Sequence, residues 1–215
     1  MENYTPPTDP YLEIIFSDDH LLVLNKQSGL LSVPGRIFKD SLASRAQEQF
    51  PTATVVHRLD METSGIMLMA LNMDAHRNFS RQFQQRTPKK TYVAEVEGQV
   101  IEDEGEIDLP LICDWPNRPR QIVDHENGKP SLTRWQVEKR HENGTRLQLF
   151  PVTGRSHQLR VHCQSMGHPI IADPLYGYVD FDDPNFMRMQ LHAETLTMHH
   201  PVTGEEVTFK APLPF

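Results

Sequence analysis

Short apolar runs alternate with polar turn residues along most of the chain. Leu12–Phe16 and Leu21–Lys26 flank the polar tetrapeptide SDDH, and this pattern predicts a β-hairpin. The same criteria predict further strands at Ile66–Leu71, Thr91–Glu97, Glu106–Leu109, Leu132–Lys139, Arg146–Phe150, Leu191–Met198 and Val207–Lys210.

Three helices are predicted from spacing and capping residues. Ser41 precedes a short helix, and Phe79 and Phe83 form the apolar face of a second one that runs from Asn72 or Asp74 to about Arg86. Thr153 or Ser156 caps a third, which Gly167 ends. Strands outnumber helices and mostly follow one another, so the predicted class is α+β: a single domain over residues 11–215 with a mostly antiparallel mixed sheet flanked by helices and loops. Residues 1–10 hold three prolines and are expected to be a flexible arm.

Composition places the chain among globular proteins. Hydrophobic residues make up 38% of its 215 positions, and no apolar run approaches the ~20 residues of a membrane span. The first residues lack the basic start and apolar stretch of a secretory signal, and two cysteines make no disulfide framework. We expect a reduced, cytoplasmic protein with no membrane partner.

Charge is distributed unevenly. The formal net charge is −8, yet residues 75–94 contain no acidic side chain and five basic ones. We call these five the basic segment: Arg77, Arg81, Arg86, Lys89 and Lys90. A local positive patch on an acidic body suits a polyanionic partner, although a solvated helix face would show the same pattern.

Two polar stretches carry candidate chemistry. HRLDMETSG at residues 57–65 places Asp60 between apolar segments, where either a reactive carboxylate or a capped turn fits. TGRSHQLRVH at 153–162 contains His157 and His162, which lie about 140° apart on a helix. A metal site formed by them with Cys163 is therefore weakly supported, and hydrogen-bonded structural histidines are favoured. Neither a phosphate-binding loop nor a dinucleotide fingerprint is present.

Three motifs in order give a more specific signal. HRLDMETSG, KKTYVAEVEG and TGRSHQLRVH, with NKQSGLLSVPG before them and GHPIIADPLYG after, resemble the RluA family of RNA pseudouridine synthases. The similarity covers about residues 11–212, without the S4-like domain of many relatives. The compact form with CDWPNRPR at 113–120 is similar to the dual-specificity member, which modifies a hairpin-loop uridine of 23S rRNA and an anticodon-loop uridine of tRNAs.

The resemblance implies an isomerase with the pseudouridine synthase fold. Uridine loses its N1–C1′ bond, the base turns, and C5 joins the ribose, so the reaction requires neither cofactor nor metal. The implied partner is structured RNA, not DNA, bound by a monomer.

The resemblance also implies residue roles. Asp60 matches the catalytic aspartate, Arg160 is the candidate for its ion pair, and Tyr92 is expected to stack on the uracil and help remove the C5 proton. Leu159 would lie under the base, and Arg58 would enter the space that the flipped nucleotide leaves. The remaining predicted substrate contacts are Arg155, His57, Lys26 and the basic segment, with Lys26 either structural or a phosphate contact.

One departure and two other functions stay open. The family usually has Lys-Pro where this chain has Lys26-Gln27, which affects the expected stiffness of that turn. A non-catalytic RNA-binding or chaperone-like module would keep the fold without the chemistry. A nucleosidase using Asp60 with Glu62 would release free uracil.

Overall fold

The computed structural model describes residues 4–178 and 188–215, which form two compact units. Unit 1 is Met1–Lys90 with His192–Pro214, and unit 2 is Thr91–Leu191 with Phe215. The helices are α1 Leu42–Gln49, α2 Met73–Gln85 and α3 Gln158–Ser165. The strands are β1 Ile14–Ser17, β2 Leu21–Lys26, β3 Thr54–Val55, β4 Ser64–Ala70, β5 Lys89–Glu97, β6 Glu104–Asp108, β7 Leu111–Cys113, β8 Gln121–Val123, β9 Leu132–Arg140, β10 Gly144–Pro151, β11 Leu191–His199 and β12 Glu206–Lys210. Across the described ranges, every helix is too short or too polar to cross a membrane.

In unit 1, β4 is buried along its whole length because both faces of its sheet are covered. It pairs antiparallel with β2 and β3 and parallel with β11, and β1 and β12 extend the sheet on β2 and β11. Alternate residues of β2 and β4 enter two cores. Leu21, Ile66 and Leu68 pack with Phe79 of α2, whereas Leu22, Leu24, Met67 and Met69 pack with Leu42 and Ala46 of α1.

The two helices of unit 1 begin at side-chain caps. Ser41 and Ser44 form a capping box at α1, and the Asn72 side chain accepts the Ala75 N–H at the start of α2. α2 ends when Arg86 takes a left-handed conformation with φ of 59°. Both starts agree with the sequence prediction.

In unit 2, four antiparallel strands are arranged in the order β5-β10-β9-β6. Their apolar side chains pack with Leu159 and Cys163 of α3 in one core, which includes Ala94, Trp135 and Leu147. β7 and β8 form a separate two-stranded hairpin. The α+β class with mostly antiparallel pairing is therefore confirmed. Among the pairings given above for the described residues, that of β4 with β11 is parallel.

The structure differs from the sequence prediction at the start of α3 and at three short strands. α3 begins after His157, so the predicted caps Thr153 and Ser156 are wrong. The short strands β3, β7 and β8 were not predicted, because two or three residues carry no periodicity.

The described part of the N-terminal arm has no helix or strand, and side-chain hydrogen bonds anchor it. The Tyr4 hydroxyl donates to the Asp40 carbonyl, and the buried Arg45 guanidinium donates to the carbonyls of Pro7 and Tyr11. The Tyr11 hydroxyl also donates to the Glu48 carboxylate of α1. Such fixed polar contacts are unusual for a chain terminus, so residues 4–11 form a strap on α1.

Candidate active site

The loop that carries Asp60 leaves the sheet at a histidine side chain. β3 pairs with β4 as far as Val55 opposite Met69. The next β4 donor, the Leu68 N–H, is bound 2.9 Å away by Nε2 of His57. The imidazole thus replaces a strand carbonyl, and the backbone is released to form the loop over residues 58–63. The ring also stacks on Phe83 of α2, with centroids 4.8 Å apart.

His57 is a neutral positioning residue. Because Nε2 accepts a backbone hydrogen bond, the ring proton lies on Nδ1. Burial, with the charge of Lys90 as a second cause, lowers the pKa of His57 to about 3. His57 therefore helps to hold the loop, and its predicted contact with the substrate stays a prediction.

Lys26 fixes the same loop from the other side. Its side chain is fully buried, and Nζ donates to the carbonyls of Gln27, Leu30 and Met61 at 2.9, 2.6 and 2.8 Å. A buried ammonium bound to three carbonyls is out of reach of a phosphate in solvent. Of the two roles predicted for Lys26, the structure favours the structural one.

Further bonds complete the frame around Asp60. The Ser32 hydroxyl donates to the Leu59 carbonyl at 2.6 Å and accepts the Leu59 N–H at 3.1 Å. The Thr63 N–H donates to the Asp60 carbonyl at 3.2 Å and closes the turn. Asp60 itself is half-buried and Arg58 is exposed. The loop therefore presents a carboxylate from a backbone that is held at Leu59, Met61 and Thr63.

Gly65 ends the loop where only glycine fits. Its φ is +109°, and a Cβ built there would lie 2.2 Å from the Ala193 carbonyl oxygen of β11. Beside it, the Ser64 hydroxyl and Nδ1 of His192 are 2.8 Å apart. Close approach of the two parallel strands thus explains the last residue of the HRLDMETSG motif.

The lowered pKa of His57 predicts acid sensitivity. An unfolded chain takes up a proton near pH 6.5, whereas the folded imidazole does so only near pH 3. The unfolded state therefore binds more protons between these values, and stability falls as the pH drops through this window. At pH 5 the loss is on the order of 2 kcal/mol.

Denaturant unfolding at pH 7.5 and pH 5 measures this loss. His57→Gln keeps an acceptor for the Leu68 N–H but cannot titrate, so its stability should change less between the two pH values. His125→Gln removes an exposed histidine and serves as the control. An equal acid loss in wild type and His57→Gln would contradict the assignment.

In unit 2, the buried Gln158 side chain organises the TGRSHQLRVH motif. Its Oε1 accepts from the Thr153 hydroxyl at 2.7 Å and from the Arg155 N–H at 3.0 Å. Its Nε2 donates to the Leu132 carbonyl and the Thr133 hydroxyl, both at 3.0 Å. The Gln158 amide therefore organises the start of α3, a role that was predicted for a Thr153 or Ser156 cap. Its bonds also connect the start of α3 to β9.

Arg160 is held in a fixed orientation by Asp173. The guanidinium makes two parallel bonds to the carboxylate, Nε to Oδ2 and Nη2 to Oδ1, both at 2.7 Å, and the two side chains are almost fully buried. Asp173 also accepts the N–H groups of Leu175 and Tyr176. The Arg160 guanidinium lies over the Tyr176 ring, 5.1 Å from its centroid. The predicted pairing of Arg160 with Asp60 stays a prediction.

The other residues of unit 2 that the sequence analysis singled out lie either at the hydrophobic core or at the surface. Tyr92, on β5 opposite Leu149, packs against the hydrophobic core that contains Leu159, so both residues belong to the same cluster. Arg155 is half-exposed, and its Nε lies 3.4 Å from the Pro130 carbonyl. His162 is buried with Nδ1 on the Thr133 hydroxyl and Nε2 on the Leu109 carbonyl, which is the structural histidine that the sequence favoured.

The basic segment is less uniform than its sequence indicates. Arg77 pairs with Asp74 at 3.0 Å and Lys89 with Glu206 at 3.1 Å, both on exposed surface. Lys90 is half-buried, and burial lowers its pKa. Arg81 and Arg86 are exposed with no ion pair to the described residues, so they are the cations most available to a polyanion.

Sequence reasoning missed Asp173, Tyr176 and Gln158 as supports of the site. The first two lie in GHPIIADPLYG, a motif that contributed to the resemblance without a residue role. Asp173 could have been predicted from chemistry, because a buried arginine such as Arg160 needs a carboxylate partner. No clusters of three or more metal-binding side chains occur among the described residues.

The chain is similar to RNA pseudouridylate synthases in both sequence and structure. The family profile described as RNA pseudouridylate synthase matches residues 20–165. A solved human structure, RNA pseudouridylate synthase domain containing 1, superposes with a TM-score of 0.84 at 32% identity and covers 98% of this chain and 87% of that one.

Similar proteins of known identity include dual-specificity RNA pseudouridine synthases from several bacteria. The dual-specificity RNA pseudouridine synthase RluA of Escherichia coli strain K12 is 53% identical over 218 residues, which cover 100% of this chain and 99% of that protein. The RluA of Vibrio vulnificus is 56% identical over 94% of this chain and 83% of its own. The chain belongs to the RluA family of RNA pseudouridine synthases, and the predicted resemblance is confirmed.

Proposed function

We propose that this protein isomerises uridine to pseudouridine in two kinds of RNA, a hairpin-loop uridine of 23S rRNA and an anticodon-loop uridine of tRNAs. The observation that carries the proposal is the match over the whole chain to dual-specificity RluA enzymes. We further propose that it acts as a monomer in the cytoplasm, on RNA and not DNA.

Asp60 is proposed as the catalytic carboxylate. The reaction breaks N1–C1′, forms C5–C1′, and moves one proton from C5 to N1, so atoms balance without an added group. A carboxylate can act at the ribose or at the base in such a sequence. The bonds at Leu59, Met61 and Thr63 support this role because they fix its backbone before substrate binds.

The other residues are proposed to bind and reorient the base. Tyr92 offers an aromatic ring for stacking and a hydroxyl for the C5 proton, and Leu159 offers an apolar contact. Arg160, oriented by Asp173, keeps a positive charge in a buried setting. Arg58 is exposed on the same loop as Asp60, and it is proposed to fill the gap left by the flipped nucleotide, whose unstacking costs a few kcal/mol.

Arg155, Arg81 and Arg86 are proposed phosphate contacts. Replacing Arg81 and Arg86 together by alanine should weaken RNA binding and lower the slope of log K against log salt by about 1.5, since each lost contact releases about 0.7–0.9 counterion fewer. Filter binding between low and moderate salt measures the slope. Lys139→Ala removes an exposed lysine of β9 and should leave the slope unchanged. Parallel lines for the double variant and wild type would remove both arginines from the footprint.

Tritium release from RNA carrying C5-labelled uridine tests the proposed function. An anticodon stem-loop and a 23S rRNA hairpin are assayed separately with the wild-type protein. Stoichiometric release from both is expected. Release from one alone would refute dual specificity, and binding without release would support the non-catalytic module.

The nucleosidase alternative is weaker on chemical grounds. It needs two carboxylates that face one glycosidic bond, whereas Asp60 and Glu62 lie two residues apart in a tight turn. Chromatography for free uracil in the same reactions decides it, because isomerisation releases none.

A further inference from the structure

The tip of the β7–β8 hairpin carries a tryptophan that lies outside the hydrophobic cores. A short 3-10 helix, Trp115–Asn117, connects the two strands, and 65% of the Trp115 surface is exposed. Burying an indole normally contributes strongly to a core. The chain's other tryptophan, Trp135, is 7% exposed and lies in the core of unit 2. The position of Trp115 therefore calls for a partner outside the described structure.

The tip is rigid before any partner arrives. The Asp114 N–H donates to the Arg120 carbonyl, the Asn117 N–H to the Asp114 carbonyl, and the Arg120 N–H to the Asn117 carbonyl, at 3.0–3.1 Å. The Asn117 amide also donates to the Asp114 carboxylate at 2.9 Å. A ring held on such a closed turn loses little conformational entropy when it binds.

The charge beside the ring fits a nucleic acid. Residues 113–120 contain two arginines and one aspartate, in a chain whose net charge is −8. The Arg118 guanidinium lies 4.8 Å from the Trp115 ring centroid, so a cation and an aromatic plane are presented together. Single-stranded RNA is bound by this combination, with a base on the ring and a phosphate at the guanidinium.

The hairpin is joined to the side chains around Arg160. The Tyr176 hydroxyl accepts the Gln121 N–H at 2.7 Å, directly after the tip, and also bonds Nδ1 of His157 at 2.8 Å. The guanidinium groups of Arg120 and Arg160 each lie 5.1 Å from the Tyr176 ring centroid. A base held at the tip is thus held by the same rigid set of contacts that orients Arg160.

We infer that Trp115, with Arg118, is a stacking site for an unpaired base of the RNA substrate outside the reacting uridine. The inference rests on the proposed function for the identity of the RNA. It assigns a substrate contact to CDWPNRPR, the segment that the sequence connected with dual specificity.

Fluorescence tests the stacking directly. Trp115 and Trp135 are the two tryptophans, so Trp115→Phe leaves only the buried emitter. Titration with an anticodon stem-loop should quench wild-type emission, and Trp115→Phe should bind the RNA with little quenching. Trp115→Ala should bind roughly tenfold more weakly and raise KM, with turnover restored at saturating RNA. Ile101→Ala, which removes an exposed side chain of the same unit, is the control.

The outcomes separate this inference from the proposed function. The stacking site would be overturned if wild type and Trp115→Ala bound the RNA with equal affinity and the RNA did not quench the emission of the wild-type protein. Quenching by RNA without any tritium release would support the stacking site while the proposed function fails.

Discussion

Asp60→Asn should abolish tritium release and leave RNA binding within about threefold of wild type. The substitution keeps size and the backbone bond from the Thr63 N–H, but an amide cannot act as nucleophile or base. Loss of such a group costs at least about 10³–10⁴ in rate. Single-turnover assays with saturating enzyme measure the chemical step apart from binding.

Glu62→Gln provides the matched control, because it neutralises a carboxylate two positions away on the same loop. It should retain turnover, and its unfolding midpoint should match that of Asp60→Asn. Appreciable turnover by Asp60→Asn would refute the assignment. Comparable loss in both variants, with free uracil from wild type, would instead favour a two-carboxylate nucleosidase.

Asp173→Ala should be the most destabilising of the substitutions considered. It removes both short bonds to Arg160 and the acceptors for the Leu175 and Tyr176 N–H groups, all in a buried setting. Breaking one partner of a buried ion pair costs about 3–5 kcal/mol, which lowers the unfolding midpoint by roughly 10 °C in a protein of this size. Glu106→Ala, which breaks the exposed pair with Arg134, should cost about 0–1 kcal/mol.

A double variant distinguishes stability from chemistry. Arg160→Met with Asp173→Ala removes the buried charge together with its counter-ion, so part of the lost stability should return. Turnover should not return, because the proposed contribution of Arg160 at Asp60 is absent. Recovery of both would make Arg160 a structural residue alone, and failure to regain stability would contradict the account of the pair.

The sequence predicted the elements that have a period and missed those that do not. β2 and β4 were identified because their apolar runs serve two cores, and α1 and α2 because Ser41 and Asn72 are recognisable caps. α3 was misplaced because its first turn is organised by the Gln158 amide, which lies inside the helix and bonds β9, a strand distant in sequence.

The candidate site shows the same division. The motifs located Asp60, Tyr92 and Arg160, but residue type alone did not separate contact from support. His57 was predicted to contact the substrate, and Lys26 to be either structural or a phosphate contact. In the structure both side chains bind backbone groups next to the loop. These hydrogen bonds are tertiary contacts, which residue type alone does not show. Arg77 pairs with Asp74 and Lys89 with Glu206, and both acidic residues lie outside the range 75–94 in which the sequence shows only basic side chains.

Gln27 shows how this chain replaces the proline that its family usually has after the lysine. The Gln27 amide donates to the Asp9 carbonyl at 2.7 Å, so the turn that carries Lys26 is fastened to the strap on α1. A proline stiffens such a turn by removing conformations from the unfolded chain, whereas this amide stiffens it by a tether across 18 residues. In this chain a hydrogen bond between residues distant in sequence thus takes the place of the local restriction that a proline would impose on the turn. Lys26, which binds the Met61 carbonyl of the Asp60 loop, is consequently adjacent to a residue that is bonded to the N-terminal strap at Asp9.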